Sequence, residues 1–160
     1  MKFDQRPAQL GRFGHKSAAV YRCGFATSQA PYEEAFWQLF GALERVEALL
    51  SARRYLSSGA QLSLSDVRLF TTLIRFDTVY HSHFKCNRKK IKEFPNIYGY
   101  MCELYQHPSI RPTVDHDHII KHYFGSHKSI NPHGVIPIGP DTKELDEPHG
   151  RDKKKFTESK

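Results

Sequence analysis

Apolar residues recur at three- and four-residue spacing along four stretches of the chain, and each stretch predicts a helix. The longest begins near Gln29, where Phe36, Leu39, Phe40, Leu43, Val46 and Leu50 share a face and Glu33, Glu34, Glu44, Arg45 and Arg53 fall mostly between them. Pro31 fits its first turn, where a missing N–H costs nothing. Ser57-Ser58-Gly59 then breaks the pattern. The second stretch opens on Ser63-Leu64-Ser65-Asp66, the outline of a capping box with Ser63 as N-cap and Asp66 at the third helical position. Leu62 and Val67 are placed to form the hydrophobic staple. Val67, Phe70, Leu73, Ile74 and Asp77 continue along one side, which predicts a central helix whose Asp77 needs a partner. A third pattern, Ile97, Tyr100, Met101 and Leu104, comes after Pro95 and stops before Gln106-His107-Pro108. After a short turn at 109–113, a fourth runs from about Asp115 to His122 and carries Ile119, Ile120 and Tyr123.

The remainder lacks helical periodicity. Residues 1–17, with Pro7, Gly11 and Gly14, read as an irregular leader. Residues 131–140 hold three prolines and two glycines and predict a fixed extended loop. Residues 141–160 predict a polar, frayed tail ending in Lys153-Lys154-Lys155. No alternation is long enough to build a sheet, so the fold class is all-α, with a helical domain over 18–140.

Composition excludes several classes. At 160 residues the chain is one domain's worth, and 39% apolar with 12% aromatic residues is too rich in large side chains for a disordered polymer. No apolar run approaches the length of a membrane span, and the first residues have no signal-peptide core. Three cysteines without regular spacing argue against a disulfide framework and suit a reducing compartment, the cytoplasm or an organelle. The formal charge of +7 lies wholly in the first 140 residues, partly in the run Lys85, Arg88, Lys89, Lys90 and Lys92. Such a run attracts anions, nucleic acid among them, but does not by itself read sequence.

Candidate chemistry is sparse. His118 and His122 share a helix face, but Ile119 stands where a zinc hydrolase needs glutamate, and His81, His83 and Cys86 form only a weak cluster without a CxxC. No catalytic metal is expected. Cys86, beside Lys85 and Arg88, has the neighbours that most favour a thiolate; Cys102, next to Met101, reads as a core thiol; Cys23 is undecided. Tyr21, Tyr80 and Tyr123 each lie at an element end, where a ring is buried and its hydroxyl stays wet; alternatively, the three hydroxyls converge on an oxygenated aromatic ligand.

Several longer motifs resemble one family. Val20-Tyr21-Arg22-Cys23-Gly24-Phe25-Ala26-Thr27, Asp66 through Asp77, His83-Phe84-Lys85-Cys86-Asn87, Tyr105-Gln106-His107-Pro108, Ser126 through Pro132 on to Gly139-Pro140, and Pro148-His149-Gly150-Arg151-Asp152 are similar to glutathionyl-hydroquinone reductases, the Xi-class glutathione transferases. The likeness runs from about residue 20 to 152. It implies the C-terminal helical bundle of the glutathione-transferase fold, with the thioredoxin-like domain that carries the nucleophilic cysteine and most glutathione contacts absent from this chain. Cys23, Cys86 and Cys102 do not correspond to that nucleophile. By motif position Tyr21, Tyr80 and Tyr123 would bind the quinone oxygens, although Phe124 stands where the family usually has a second tyrosine. The resemblance also implies glutathione as co-substrate, a glutathionylated hydroquinone as substrate, and a homodimer to which residues 131–140 are suited, with neither nucleic acid nor membrane as partner. This chain alone is expected to be inactive. The alternatives are a non-catalytic helical module for dimerisation or ligand binding and, well behind, a nucleic-acid binder.

Overall fold

The computed structural model describes residues 14–57 and 61–157. Residues 1–13 of the expected leader, Ser58 and Gly59 of the expected break, and the last three residues lie outside it. Among the described residues every regular element is helical, and no helix is long and apolar enough to cross a membrane. In chain order they are α1 (Gly14–Gly24), α2 (Gln29–Ala52), α3 (Leu64–Leu73), a π-turn (Phe76–Tyr80) running into the short α4 (His81–His83), α5 (Pro95–Tyr105) and α6 (His116–Ser126). Single 3-10 turns stand at Ile91–Glu93, Arg111–Thr113, Thr142–Asp146 and Arg151–Lys153.

Helix α2 is roughly 36 Å long at 1.5 Å per residue and is the scaffold on which α1 and α5 pack. Its buried stripe is the expected one, extended by Ala35 and Ala42. Helix α1 was not expected: it begins at Gly14, inside the stretch read as irregular, and Ala19, Val20 and Cys23 bury its inner face. The most enclosed helix is α5 rather than α3. Ile97, Gly99, Tyr100, Met101, Cys102, Leu104 and Tyr105 are all buried, so α5 is apolar on nearly every side.

Buried and half-buried carboxylates tie these helices together by accepting from backbone N–H groups. The capping box is present at Ser63 and Asp66, with Ser63 N–H donating to the carboxylate at 2.8 Å. Asp66 is wholly buried and also accepts from Leu56 N–H and from the Tyr100 hydroxyl, each at 2.8 Å. One side chain thus joins the α2–α3 connection, the start of α3 and the middle of α5. Glu47 of α2 accepts from Asn96 N–H at 2.9 Å and Ile97 N–H at 2.8 Å, which places a negative group at the unsatisfied N-terminus of α5. Asp77 finds its partners in Ile91 N–H at 2.6 Å and Lys92 N–H at 3.2 Å.

The segment after residue 140 corrects the expectation of a frayed tail. Leu145 and Arg151 are buried. The Arg151 guanidinium donates to Glu103 at 2.8 Å, and to the Arg54 and Arg53 carbonyls at 2.6 and 3.3 Å, just past the end of α2. Its aliphatic stem passes over Gly99 of α5, at ordinary contact distance from where a Cβ would stand. Thr157 N–H donates to Ala52 O at 3.0 Å. The tail is polar in composition but docked through hydrogen bonds.

Asp66→Ala removes the acceptor of four buried or half-buried donors, the Leu56 and Ser63 N–H groups and the Ser63 and Tyr100 hydroxyls, and should lower unfolding free energy by about 3 kcal/mol or more in urea titrations. Arg151→Ala should release the tail, read as faster proteolysis after residue 140 while α2–α5 remain protected in hydrogen exchange.

Candidate functional site

Helix α3 leads into Phe76–Tyr80, where Tyr80 N–H reaches back five residues to Arg75 O at 3.2 Å. Such a π-turn inserts a residue into the helical count and re-aims the side chains beyond it. Its consequence here is that Phe76, Val79, Tyr80, His83 and Phe84 all turn inward. Phe84 is fully buried and lies at the centre of an aromatic cluster. Its ring is parallel to Tyr80 at 5.5 Å and within 5.1–6.0 Å of Tyr21, Phe25 and Tyr123. The approach of α1 is possible only because residue 24 is glycine, since a Cβ there would sit 2.1 Å from the Phe84 ring.

Tyr21 extends from α1, Tyr80 from the π-turn and Tyr123 from α6, and the three phenols meet. Tyr21 Oη and Tyr123 Oη lie 2.8 Å apart, and Tyr80 Oη and Tyr123 Oη 3.0 Å apart. Tyr80 and Tyr123 are buried, whereas Tyr21 is 40% exposed and forms the rim with Phe25. Burial, reinforced by the hydrogen bond to Tyr123, pushes Tyr21 up to about 12 and Tyr80 well above the ordinary phenol range. Both therefore stay protonated at neutral pH. Tyr21 lies in the last turn of α1, ahead of the long helix α2, so it does stand near an element end, that of a helix the sequence did not reveal.

A pair of histidines adjoins the cluster, a feature the sequence did not announce. His83 Nε2 and His127 Nδ1 are 3.1 Å apart, their rings stacked at 5.3 Å, and His127 stands edge-on to Phe25 at 5.2 Å. Burial first, then the neighbouring His127 and Lys85, hold His83 down to about 4, and His127 is lowered as well. Only the spacing of His83 from Phe84 and of His127 from Tyr123 hinted at this. The arrangement is an aromatic wall with neutral polar groups: phenols that hold their protons and imidazoles that refuse them.

The other candidates fall elsewhere. His118 and His122 stack at 6.1 Å on an exposed face, and among the described residues no three His, Cys, Asp or Glu side chains are grouped to hold a metal ion. The expectation that Cys86 is the most activated thiol is overturned: it is fully buried, its Sγ donates to Phe84 O at 3.7 Å, and the neighbouring Cys23 together with desolvation raises its pKa. Cys102 is a core thiol, pushed up to about 11 by burial. The basic run is divided among partners, Lys89 with Glu44, Lys92 with Glu144, and Arg88 over the Trp37 ring. A cavity of about 300 Å³ is lined by Arg54, Tyr55, Leu62, Glu103, His107 and Asp152 among others, but by none of the three tyrosines. Its charges are already paired, Arg54 with Glu103 at 2.6 Å and with Asp152 at 3.1 Å.

Comparison with known proteins agrees with this architecture. The family model for the glutathione S-transferase C-terminal domain matches residues 29–101, from α2 into α5. The glutathionyl-hydroquinone reductase YqjG of Escherichia coli is 54% identical over 133 residues, covering 83% of this chain and 40% of that protein. Its glutathione-bound structure superposes with a TM-score of 0.83 at 51% identity, over 88% of this chain and 45% of that one. A Xi-class transferase from Natrialba magadii gives a TM-score of 0.86 at 45% identity, over 90% of this chain and 44% of that one. The chain spans less than half the length of each. A helical bundle of this form, matched at this identity over nearly nine-tenths of its length, places the chain in the glutathione transferase family by its likeness to that family's C-terminal domain.

Proposed function

We propose that this chain supplies the hydroquinone-binding wall of a glutathione-dependent reductase that removes glutathione from glutathionyl-hydroquinones. The observation that carries the reading is the convergence of the Tyr21, Tyr123 and Tyr80 hydroxyls at 2.8 and 3.0 Å beside a half-open aromatic rim. Three neutral phenols own three protons, and two are used in bonds among themselves. Whichever way that chain runs, one O–H is left to donate to a ligand oxygen. A donor held in place where charge moves onto a quinone oxygen stabilises the transition state for carbon–sulfur cleavage. Phe25 and His127 offer a face and an edge for the ring, with the buried Phe84 packed behind them.

The thiolate step is assigned to a nucleophilic cysteine on a thioredoxin-like domain, with glutathione as co-substrate bound mainly there. None of the cysteines of this chain lies at the exposed phenol rim: Cys23, Cys86 and Cys102 are all buried. In this reading the helical domain binds and orients, and the chain by itself does not turn over. It works as a homodimer in a reducing compartment, the cytoplasm or an organelle, without a metal. Val135, Ile136 and Ile138 project from the 131–140 loop into solvent and would suit a second copy. A non-catalytic ligand-binding or dimerisation module is the second reading; it shares the phenol cluster and differs in lacking a catalytic partner.

Assayed alone with a glutathionyl-menadiol, the chain should release no glutathione above background; robust turnover would refute the division of labour. Calorimetric titration with menadiol should give binding that Tyr80→Phe weakens about three- to tenfold, the worth of one hydrogen bond; an unchanged Kd would count against the phenol site. The histidine pair makes a separate prediction about pH. With His83 held at about 4 in the folded chain and near 6.5 when unfolded, the unfolded form takes up its proton first on acidification. Stability should be fully present above pH ~6.5 and lost progressively toward pH ~4. Melting temperatures across that window should fall less steeply in His83→Phe than in the parent.

A further inference from the structure

His127 stands directly after α6, and the turn that follows fixes its backbone. Ile130 and Asn131 N–H donate to its carbonyl at 3.0 and 2.9 Å, and the Asn131 side-chain amide donates to Phe124 O at 2.9 Å. Neighbouring rings grip its imidazole from several sides. His83 and Phe84 lie roughly parallel to it at 5.3 and 5.7 Å, while Phe25 and Tyr123 stand edge-on at 5.2 and 5.5 Å. A side chain held in this way loses its rotamer freedom on folding, so a ligand that meets it has little ordering left to impose. Yet the ring is only half-buried, next to Phe25 of the exposed rim.

The two nitrogens of this ring are treated differently. Nδ1 meets His83 Nε2 at 3.1 Å. Nε2 has no protein partner among the described residues, nor does it figure among their buried, unpaired polar atoms, so it is open to solvent. Burial holds His83 down to about 4 and lowers His127 as well, which leaves both rings neutral at neutral pH. Each then carries one proton, and the contact between them takes one. Either His83 Nε2–H donates to His127 Nδ1 and His127 keeps its own proton on Nε2, or His127 Nδ1–H donates to His83 Nε2 and both rings are protonated on Nδ1. The bond made at one nitrogen settles the state of the other. The first arrangement gives both rings the Nε2–H tautomer that neutral histidine favours in water; the second imposes the less favoured tautomer twice.

We infer that His127 Nε2–H donates to the second oxygen of a ring ligand whose first oxygen the phenols hold, and that His83 is the positioning residue that keeps this proton outward. The inference rests on the reading of the phenol site and adds a specificity to it. The phenols alone suit any aromatic ring with one oxygen, whereas His127 selects a ring that carries two. A neutral N–H serves a hydroquinone hydroxyl and a quinone carbonyl alike, because both oxygens accept.

The test is calorimetric titration of the full chain, under reducing conditions, with menadiol and with the methylnaphthol that lacks one of its hydroxyls. The ratio of the two affinities should fall about three- to tenfold in favour of the naphthol in His127→Phe, which keeps a ring and loses the donor. His127→Gln, whose amide nitrogen can fall near the place of Nε2, should restore the ratio; His127→Asn, whose amide falls near Nδ1, should not. His83→Phe should lower the ratio and His83→Gln, which can still donate to Nδ1, should keep it. Nitrogen NMR of the free parent chain should show His127 protonated on Nε2 and bare on Nδ1. An unchanged ratio in a natively folded His127→Phe, or a parent His127 protonated on Nδ1, would overturn the inference. The phenol reading fails separately, through a Tyr80→Phe that binds both ligands as the parent does, and a parent that binds neither ligand overturns both.

Discussion

The ring of Phe84 fills the volume that a side chain on residue 24 would need, and the candidate site is built around that intrusion. By lying against the backbone of Gly24 it draws the end of α1 down onto the π-turn. By stacking on Tyr80 and meeting Tyr123 at 6.0 Å it brings α6 to the same point. Three helices that share no local sequence signal thus present their phenols within hydrogen-bond reach of one another. Close-packed aromatic contact of this kind has little slack, because an interior that is already dense cannot absorb an added methyl without moving whole elements.

Much of the helical framework was legible because it obeys simple periods. The α2 stripe, the capping box at Ser63 and Asp66 and the α5 pattern all depend on local spacing and local hydrogen bonds, and each is present. Helix α1 was not legible. Its recognisable inner face is only Ala19, Val20 and Cys23, too short a run to outweigh a stretch punctuated by glycine. The π-turn escaped for the opposite reason: it breaks the 3.6-residue period by which a helix is recognised, so Tyr80 looked like a helix end. The tail was misread because it is held by the guanidinium of Arg151 and by backbone groups, and polar composition says nothing of where a hydrogen bond leads.

The site shows the same division. Tyr21, Tyr80 and Tyr123 came forward through whole motifs resembling a family, not through any spacing among themselves, and their meeting is a property of the tertiary fold. The contact of His83 with His127 is a pairing across the chain that no local pattern announces. Neighbouring charge along the sequence was a poor guide to thiol chemistry: Lys85 and Arg88 suggested an activated Cys86, whereas the neighbouring Cys23 and complete burial raise its pKa.

The docking of Arg151 on the carbonyls that close α2 has a bearing on biosynthesis. Those carbonyls, at Arg53 and Arg54, emerge early from the ribosome, but the guanidinium that receives them comes almost a hundred residues later. Until it arrives, Glu103 has only Arg54 and the Tyr55 hydroxyl opposite it. The clasp on the end of α2 is therefore among the last contacts of the bundle that synthesis can complete.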